Sequence, residues 1–307
     1  AAPTATPTMQ PTLAPAPAPG PSICDSPVQP PTACSVAIPF GSTPLQGRDC
    51  IETPCNCDCR TKCGDSANCL QYAPTDAMFA TFADALADFQ GQAQRCGVFT
   101  GYDDQGAFQV AAGMGSNDRC YVFDGVTLPN AVYENTGFDC LEITDSVFGA
   151  INFGNEEDCL TVRGSTVGGI DGGPDNDCME IYDSTVLSNG DADDPLSITA
   201  SGQGGSGNRL QFVRSVADAG ISMGGEGSDC VLTQDSTMAS FNSGRGNDCA
   251  VHNNILSFGV VNMGEGSDWQ CAQGCVAGDV AGGAGANQGG GNGNNGNNGN
   301  NGNNGNN

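Results

Sequence analysis

The sequence predicts an all-β protein, a parallel β-solenoid of about 7–8 coils. One short pattern recurs through the middle of the chain. It starts with an acidic or amide residue, which is usually followed by a cysteine; two apolar residues separated by one position come next, and then often Asp-Ser. Successive copies start 19 to 21 residues apart, with one interval of 31. A period near 20 residues with alternating apolar positions fits one coil per repeat, because each coil can then place its apolar side chains on those of the next.

The copies share an Asp or Asn at their first position. They begin at Asp118, Asp139, Asp158, Asp177, Asn208, Asp229, Asp248 and Asp268. Side chains alternate between the two faces of a strand, so the apolar pair of each copy is expected to point inward. These pairs are Cys120 and Val122, Leu141 and Ile143, Leu160 and Val162, Met179 and Ile181, Leu210 and Phe212, and Val231 and Thr233, continued by Ala250 and His252.

Two further sets of residues complete the predicted coil. The polar residues between the inward pairs are expected to face outward, at Glu142, Thr161, Glu180 and Gln211. A second, weaker strand is expected at Ile151 and Phe153, Ile170, Ile221 and Met223, Phe241, and Val260. Glycines then return the chain to the next coil.

Composition divides the chain into five parts. We expect a Pro/Thr/Ala-rich stalk at 1–23, a cysteine-rich segment stapled by disulfides at 24–73, a capping helix at 74–97, the solenoid at 98–276 and a Gly/Asn-rich low-complexity tail at 277–307. The tail ends in Gly-Asn-Asn triplets, a composition typical of disorder or of amide ladders between stacked copies.

The stalk alternates proline with alanine and threonine, which favours extended polyproline II. Four threonines stand beside or near its prolines and are candidate O-glycan acceptors: Thr4, Thr6, Thr8 and Thr12. The Ala-Pro repeat resembles algal and plant wall proteins, a resemblance that implies glycosylation. A bare spacer is the alternative.

Seventeen cysteines accompany a single histidine, which favours disulfides in an oxidising compartment over zinc sites. Eight disulfide candidates are crowded near the start of the chain: Cys24, Cys34, Cys50, Cys55, Cys57, Cys59, Cys63 and Cys69. Metal-thiolate binding by the closely spaced cysteines at 55–59 is the alternative. The localisation predicted from this composition is secreted, extracellular or cell-surface.

The predicted helix runs from Thr75 to Arg95, with Thr75 as its N-cap. Its apolar residues recur at three- and four-residue spacing, at Met78, Phe79, Phe82, Leu86 and Phe89. One apolar face of this kind can cover the open end of a solenoid, whose first coil otherwise exposes strand edges and core side chains.

Charge excludes one class of partner. Thirty-five Asp and Glu against nine Lys and Arg give a net charge of −26, which repels a phosphate backbone. We therefore expect no nucleic acid partner, and no apolar run is long enough to span a membrane. The acidic surface is explained either by solubility or by calcium, the one cofactor that the composition suggests.

One turn carries a calcium-type motif. The run Gly224-Gly225-Glu226-Gly227-Ser228-Asp229-Cys230-Val231-Leu232 resembles the nonapeptide of repeats-in-toxin calcium solenoids, and two later turns match it in part. The resemblance implies calcium ligands at Asp229, Asp248 and Asp268. Alternatively, each Asp accepts hydrogen bonds from the backbone N–H groups of its own turn.

Two other features lie on the predicted coils. A row of cysteines precedes the inward pairs, at Cys140, Cys159, Cys178, Cys230 and Cys249. It is expected to face outward or at a corner and to form disulfides between adjacent coils, to the cysteine-rich segment or between subunits. A buried thiol row is the alternative. The long interval contains an insertion at 188–206, expected to form a loop with an acidic tip at Asn189–Pro195.

Together these features predict a non-enzymatic, extracellular structural protein that self-assembles, as a homo-oligomer or filament, through its solenoid ends and tails. In general plan it resembles secreted β-solenoid proteins of algae and other protists, including flagellar-hair (mastigoneme) components. A calcium-binding adhesin is the alternative. A polysaccharide lyase or hydrolase fits less well, because short coils leave little room for a substrate groove and basic residues are scarce.

Overall fold

The computed structural model describes residues 69–93, 95–110, 119–134, 137, 139–189, 196–201, 207–246, 248–257, 260–265, 268–273, 280–281 and 288–291. They form a parallel β-solenoid of about seven turns with a spacing of roughly 20 residues, which confirms the predicted fold class. The stalk, its four threonines and the disulfide candidates before Cys69 lie outside the described residues.

The first sheet has eleven parallel strands, contributed in chain order by successive coils. They are Leu70–Tyr72, Cys96–Thr100, Cys120–Asp124, Cys140–Thr144, Cys159–Arg163, Cys178–Tyr182, Arg209–Val213, Cys230–Gln234, Cys249–Asn253, Trp269–Gln273 and Gln288–Gly291. Each strand pairs with the equivalent strand of the coil before and after it, so the coils stack in register.

The second sheet has fourteen strands, mostly short, and completes each coil with two segments. They are Phe108–Val110, Thr127–Glu134, Val147–Asn152, Thr166–Val167, Ile170–Asp171, Thr185–Val186, Leu196–Thr199, Val216–Ala217, Gly220–Ser222, Thr237–Met238, Phe241–Asn242, Leu256–Ser257, Val261–Asn262 and Val280–Ala281. Both sheets continue past residue 276, where the solenoid was expected to end.

The core consists of the predicted inward pairs stacked from coil to coil. Leu141 pairs with Leu160 and Ile143 with Val162 in adjacent strands, and all four side chains are buried in the main core cluster. The pairs at 179 and 181 and at 210 and 212 continue the same rows. Each coil buries its apolar pair only against its neighbours, so the stability of the fold depends on the stack.

The predicted inward-facing residues were wrong by one position at two places. In the first full coil the inward residues are Tyr121 and Phe123, which align with Leu141 and Ile143, instead of Cys120 and Val122. The reason is that the residue equivalent to Asp139 is Arg119, not Asp118. Near the other end, Val260 is 45% exposed, and Val261 and Met263 fill the core positions instead.

The insertion at 188–206 contains a core strand that the sequence analysis missed. Within it, Leu196–Thr199 pairs with strands on both sides, and Ile198 aligns with Ile170 and Ile221. The interval is therefore a complete coil with longer connections on either side of this strand. The predicted acidic tip at Asn189–Pro195 lies largely outside the described residues.

The predicted helix is shorter and begins later. A 3-10 turn at Ala77–Phe79 precedes an α-helix, α1, at Phe82–Gly91, whose N-cap is Thr81 rather than Thr75. Thr81 Oγ1 accepts the N–H of Asp84 and donates to its carboxylate, so the two side chains cap the helix start. Met78, expected on the apolar face, is 77% exposed.

The helix contributes aromatic side chains to the start of the core. Phe82 and Phe89 of α1 are fully buried against Phe99, Tyr121 and Phe123, with ring centroids 5.1 to 6.2 Å apart. The role expected for the helix, which is to cover the first coils, agrees with this packing. No helix within the described part of the chain is long and apolar enough to cross a membrane.

Candidate functional site: polar rows between the coils

A row of buried acidic and amide side chains runs along one corner of the solenoid. Its members occupy the position before each strand of the first sheet: Asp139, Asp158, Asp177, Asn208, Asp229, Asp248 and Asp268. Each is at most 3% exposed. We call this set the aspartate row.

Hydrogen bonds in the aspartate row connect one coil to the next. The N–H of Asp139 donates to Oδ1 of Asp158 at 2.8 Å, and the N–H of Asp158 donates to Oδ1 of Asp177 at 3.1 Å. The same bond recurs from each later member to the member one coil further on, at 2.7 to 3.1 Å. Each Oδ1 thus accepts the N–H of the equivalent residue one coil earlier, whereas the sequence alternative placed the donor in the same turn.

Burial changes the ionisation of these carboxyl groups. Loss of solvation raises the pKa of Asp158 to about 9 and the pKa of Asp177 and Asp229 to about 8. The pKa of Asp248 rises to about 6 for the same reason, and that of Asp268 is also raised. Near pH 7 the carboxyl groups of Asp158, Asp177 and Asp229 are therefore mostly neutral, and a neutral carboxyl still accepts the N–H on Oδ1.

The three calcium candidates all belong to this row. Oδ1 of Asp229 accepts the N–H of Asn208, Oδ1 of Asp248 accepts that of Asp229, and Oδ1 of Asp268 accepts that of Asp248. Within the described residues, no group of three or more His, Cys, Asp or Glu side chains is placed to hold a metal ion. The geometry therefore gives these residues a structural role, and calcium binding stays a prediction.

A second polar row consists of serines at the corner between the first and second sheets. Its members are Ser146, Ser165, Ser184, Ser215 and Ser236, all nearly buried. The N–H of each of the first four donates to the Oγ of the next at 3.0 to 3.1 Å, and each Oγ donates to the carbonyl two residues before it at 2.6 to 2.8 Å. One hydroxyl thus satisfies two backbone groups per coil.

The residue before each serine explains the recurring Asp-Ser. Asp145, Gly164, Asp183, Arg214 and Asp235 all have positive φ angles, between 48° and 58°. This left-handed conformation turns the chain sharply, and Asp and Gly adopt it more readily than most residues. The sequence analysis noted the pattern but assigned it no function.

The cysteine row lies on the opposite side of the strands from the core. Cys96, Cys120, Cys140, Cys159 and Cys178 align in register and form a cluster of their own with Cys69. The position, facing away from the core axis, matches the prediction. The side chains of Cys120, Cys140 and Cys159 are nevertheless buried, and all of the aligned five form disulfides.

One disulfide of this row joins two successive coils. Cys69 is bonded to Cys96, the first member, with their Cα atoms 4.6 Å apart. Neighbouring strands lie about 4.8 Å apart, which suits the Cα separation of a disulfide.

The core histidine is also part of the stack. His252 is buried at an inward position, as predicted, and its Nδ1 lies 2.7 Å from Thr233 Oγ1 of the preceding coil. The ring of Phe241 packs against it edge to face at 5.1 Å. Desolvation lowers the pKa of His252 to about 4, which keeps the ring neutral near pH 7.

No protein-family model, curated protein sequence or solved structure matches this chain. Its functional interpretation therefore depends on its own geometry. In the described coils, the aspartate and serine rows, the Cys69–Cys96 disulfide and the Thr233–His252 contact all join successive coils. The polar side chains of the described coils thus hold the stack together from one coil to the next.

Proposed function

We propose that this chain is an extracellular structural protein that assembles end to end as a subunit of a cell-surface filament or matrix. The observation that carries the proposal is the difference between the two ends of the solenoid. Helix α1 packs its aromatic residues over the first coils, whereas the other end continues as in-register parallel strands to Gln288–Gly291.

The exposed edge of a parallel sheet is a template for another strand, because its backbone N–H and C=O groups point outward in a regular row. Gln288–Gly291 is the last strand in the order of the first sheet, and Val280–Ala281 ends the second. The disulfide between Cys69 and Cys96, in adjacent coils, suits an oxidising extracellular environment.

Negative-stain microscopy and analytical ultracentrifugation of the purified full chain test this proposal. We expect concentration-dependent chains of solenoids joined at their ends. Gly290→Pro, which removes a backbone donor from the terminal strand, should abolish end-to-end association. Val216→Lys changes an exposed residue on the side of the solenoid and should leave end-to-end association intact. Monodisperse monomers at high concentration, with and without calcium, would contradict the proposal.

A calcium-dependent adhesin is the second candidate. It is favoured by the net charge of −26 and by the buried Oδ2 atoms of Asp229 and Asp248, for which the described residues provide no hydrogen bond. If calcium stabilises the fold, a chelator should lower the melting temperature, and Asp229→Asn should reduce that effect. A melting temperature indifferent to chelator would remove this candidate.

A further inference from the structure

The second sheet carries almost no charge, although the chain as a whole is strongly acidic. Its fourteen strands, as the structure describes them, contain two charged residues, Glu134 and Asp171, and each is the last residue of its strand. The net charge of the chain is −26. Acidic residues stand instead at the corners of the coils, as Asp145, Asp183 and Asp235 do. The outer side of the second sheet is therefore a neutral strip along an acidic rod.

A row of β-branched side chains runs along this strip. Its members pair in register from coil to coil, and they are Thr127, Val147, Thr166, Thr185, Val216 and Thr237. The residue after each member is buried, as Phe148 and Val167 are in the main core cluster, so the members themselves point outward. We call this set the threonine–valine row. Its side chains repeat every 4.8 Å or so, the spacing of neighbouring strands.

Exposed apolar side chains are concentrated on the same sheet. Among the described residues, large apolar side chains that are exposed by 37 to 45% all belong to it: Val132, Val147, Leu187, Val216 and Val260. Leu187 and Val260 adjoin short strands and extend their ladders, because the N–H of Leu187 and the carbonyl of Val260 are bonded to neighbouring coils. Met78, the other exposed large apolar residue, lies in the 3-10 turn before α1. Exposed apolar residues that gather on one side of a protein mark an interaction surface.

We propose that the outer side of the second sheet is the contact surface between two copies of this chain that lie side by side. Two chains that each carry a charge of −26 repel one another, and the neutral strip lets them meet without pressing carboxylates together. A second copy is also the partner whose surface has the same repeat. The branched side chains of one threonine–valine row can therefore pack between those of the other, as in two sheets packed face to face.

The size of the strip is sufficient for such a pair. From Thr127 to Leu256 the ladder extends over seven coils, or about 30 Å along the rod. Across the rod, a strand such as Val147–Asn152 spans about 20 Å. Each copy thus offers about 600 Å², and a pair buries about 1,200 Å², which is the lower limit for specific, stable interfaces. We therefore expect dissociation constants in the micromolar range.

This surface is separate from the one that carries the proposed end-to-end assembly. The terminal strand Gln288–Gly291 ends the first sheet, whereas the strip lies along the side of the second. Side-by-side pairing therefore does not rest on the proposed function, and either can fail without the other. The variant Gly290→Pro, which blocks the end, isolates the side-by-side contact for measurement.

Sedimentation-velocity ultracentrifugation of the full chain in the Gly290→Pro background tests the proposal. Val147→Lys and Val216→Lys each place a charge in the threonine–valine row. Met78→Lys is the matched control, because it makes the same change of charge at an exposed apolar residue away from the sheet. Circular dichroism verifies the fold of each variant, and the second row position serves if the first variant does not fold.

We expect the Gly290→Pro protein to form dimers, and each lysine in the row to weaken them at least ten-fold, since the charge would be buried without a partner. Met78→Lys should leave the dimers unchanged. Added NaCl should strengthen pairing, because it screens the repulsion between acidic copies. Monomers alone at near-millimolar concentration, or dimers that tolerate a lysine at both row positions, would overturn the proposal.

Discussion

Arg119 occupies the position in the aspartate row that Asp139 occupies one coil later. Its backbone N–H donates to Oδ1 of Asp139 at 3.4 Å, in the pattern of the row. Its buried side chain turns to helix α1, where the guanidinium donates to the carbonyls of Phe89 and Gln92 at 3.0 and 3.1 Å. The row thus begins with a residue that joins the solenoid to its helix.

Replacing Arg119 should detach the end of the helix. The last carbonyls of a helix have no partners within it, and a cation there also interacts favourably with the helix dipole. We expect Arg119→Met to lower the free energy of unfolding by about 2 kcal/mol. Hydrogen exchange at 82–91 should accelerate while exchange at 209–213 stays unchanged. Equal protection of the helix in both proteins would contradict the capping role.

Asp158 should make the fold less stable as pH rises. Its raised pKa means that the folded state holds the proton up to about pH 9, whereas the unfolded chain loses it near pH 4. The contribution of Asp158 to stability is therefore complete below pH 4 and is lost progressively as the pH rises toward 9. Chemical denaturation across this range measures the slope.

Asp158→Asn provides the matched test, because Asn208 already occupies the same row. With a folded pKa of about 9 and an unfolded pKa near 4, linkage makes the variant more stable than the parent by about 5 kcal/mol at pH 8 and close to it at pH 4. The control Asp171→Asn, at an exposed position in the third segment of the coil, should not change the slope. If the Asp158 variant retains the parental slope, the carboxyl group is not buried in neutral form.

His252 should have the opposite pH dependence. Its pKa is lowered by burial, so the unfolded chain takes up a proton near pH 6.5 that the folded state refuses down to about pH 4. Stability falls as the pH decreases through this window. The double variant Thr233→Val, His252→Leu should remove that loss and extend the apolar row. Chemical denaturation at a series of pH values measures this. If the double variant loses as much stability as the parent between pH 6.5 and pH 4, His252 is solvated in the folded state.

The disulfide pairing is open to direct mapping. Peptides from non-reduced protein should contain Cys69 linked to Cys96. Replacing Cys69 and Cys96 together with alanine should cost about 3 kcal/mol, the usual effect for a loop of this length. Recovery of either cysteine in another linkage would contradict this pairing.

The solenoid itself was predictable because its period and its alternation are both local features of the sequence. The rows at Leu141 and Ile143 follow directly from them. The error at Cys120 arose because Asp118 precedes Arg119 and imitates the row, while the true member uses an arginine to reach the helix. Ile198 was missed because the connections around it lengthen the interval and obscure the repeat.

The polar rows were less predictable, because their partners lie in other coils. Acidic residues before a strand suggest both calcium sites and turn hydrogen bonds. Only the stacking shows that Asp158 accepts from Asp139. The serines were visible as a repeated Asp-Ser, and positive φ at Asp145 and Asp183 explains the first residue of that pair. A periodic small polar residue after a strand is the signal that could have identified the row.

The stacking of coils in register is tested most directly by methyl and side-chain nuclear Overhauser contacts in the full chain. The account predicts an unbroken series from Leu141 to Leu160, then to Met179, Leu210 and Val231, each contact joining residues one coil apart. Contacts that skip a coil, or that join these residues to the outer rows, would contradict the solenoid.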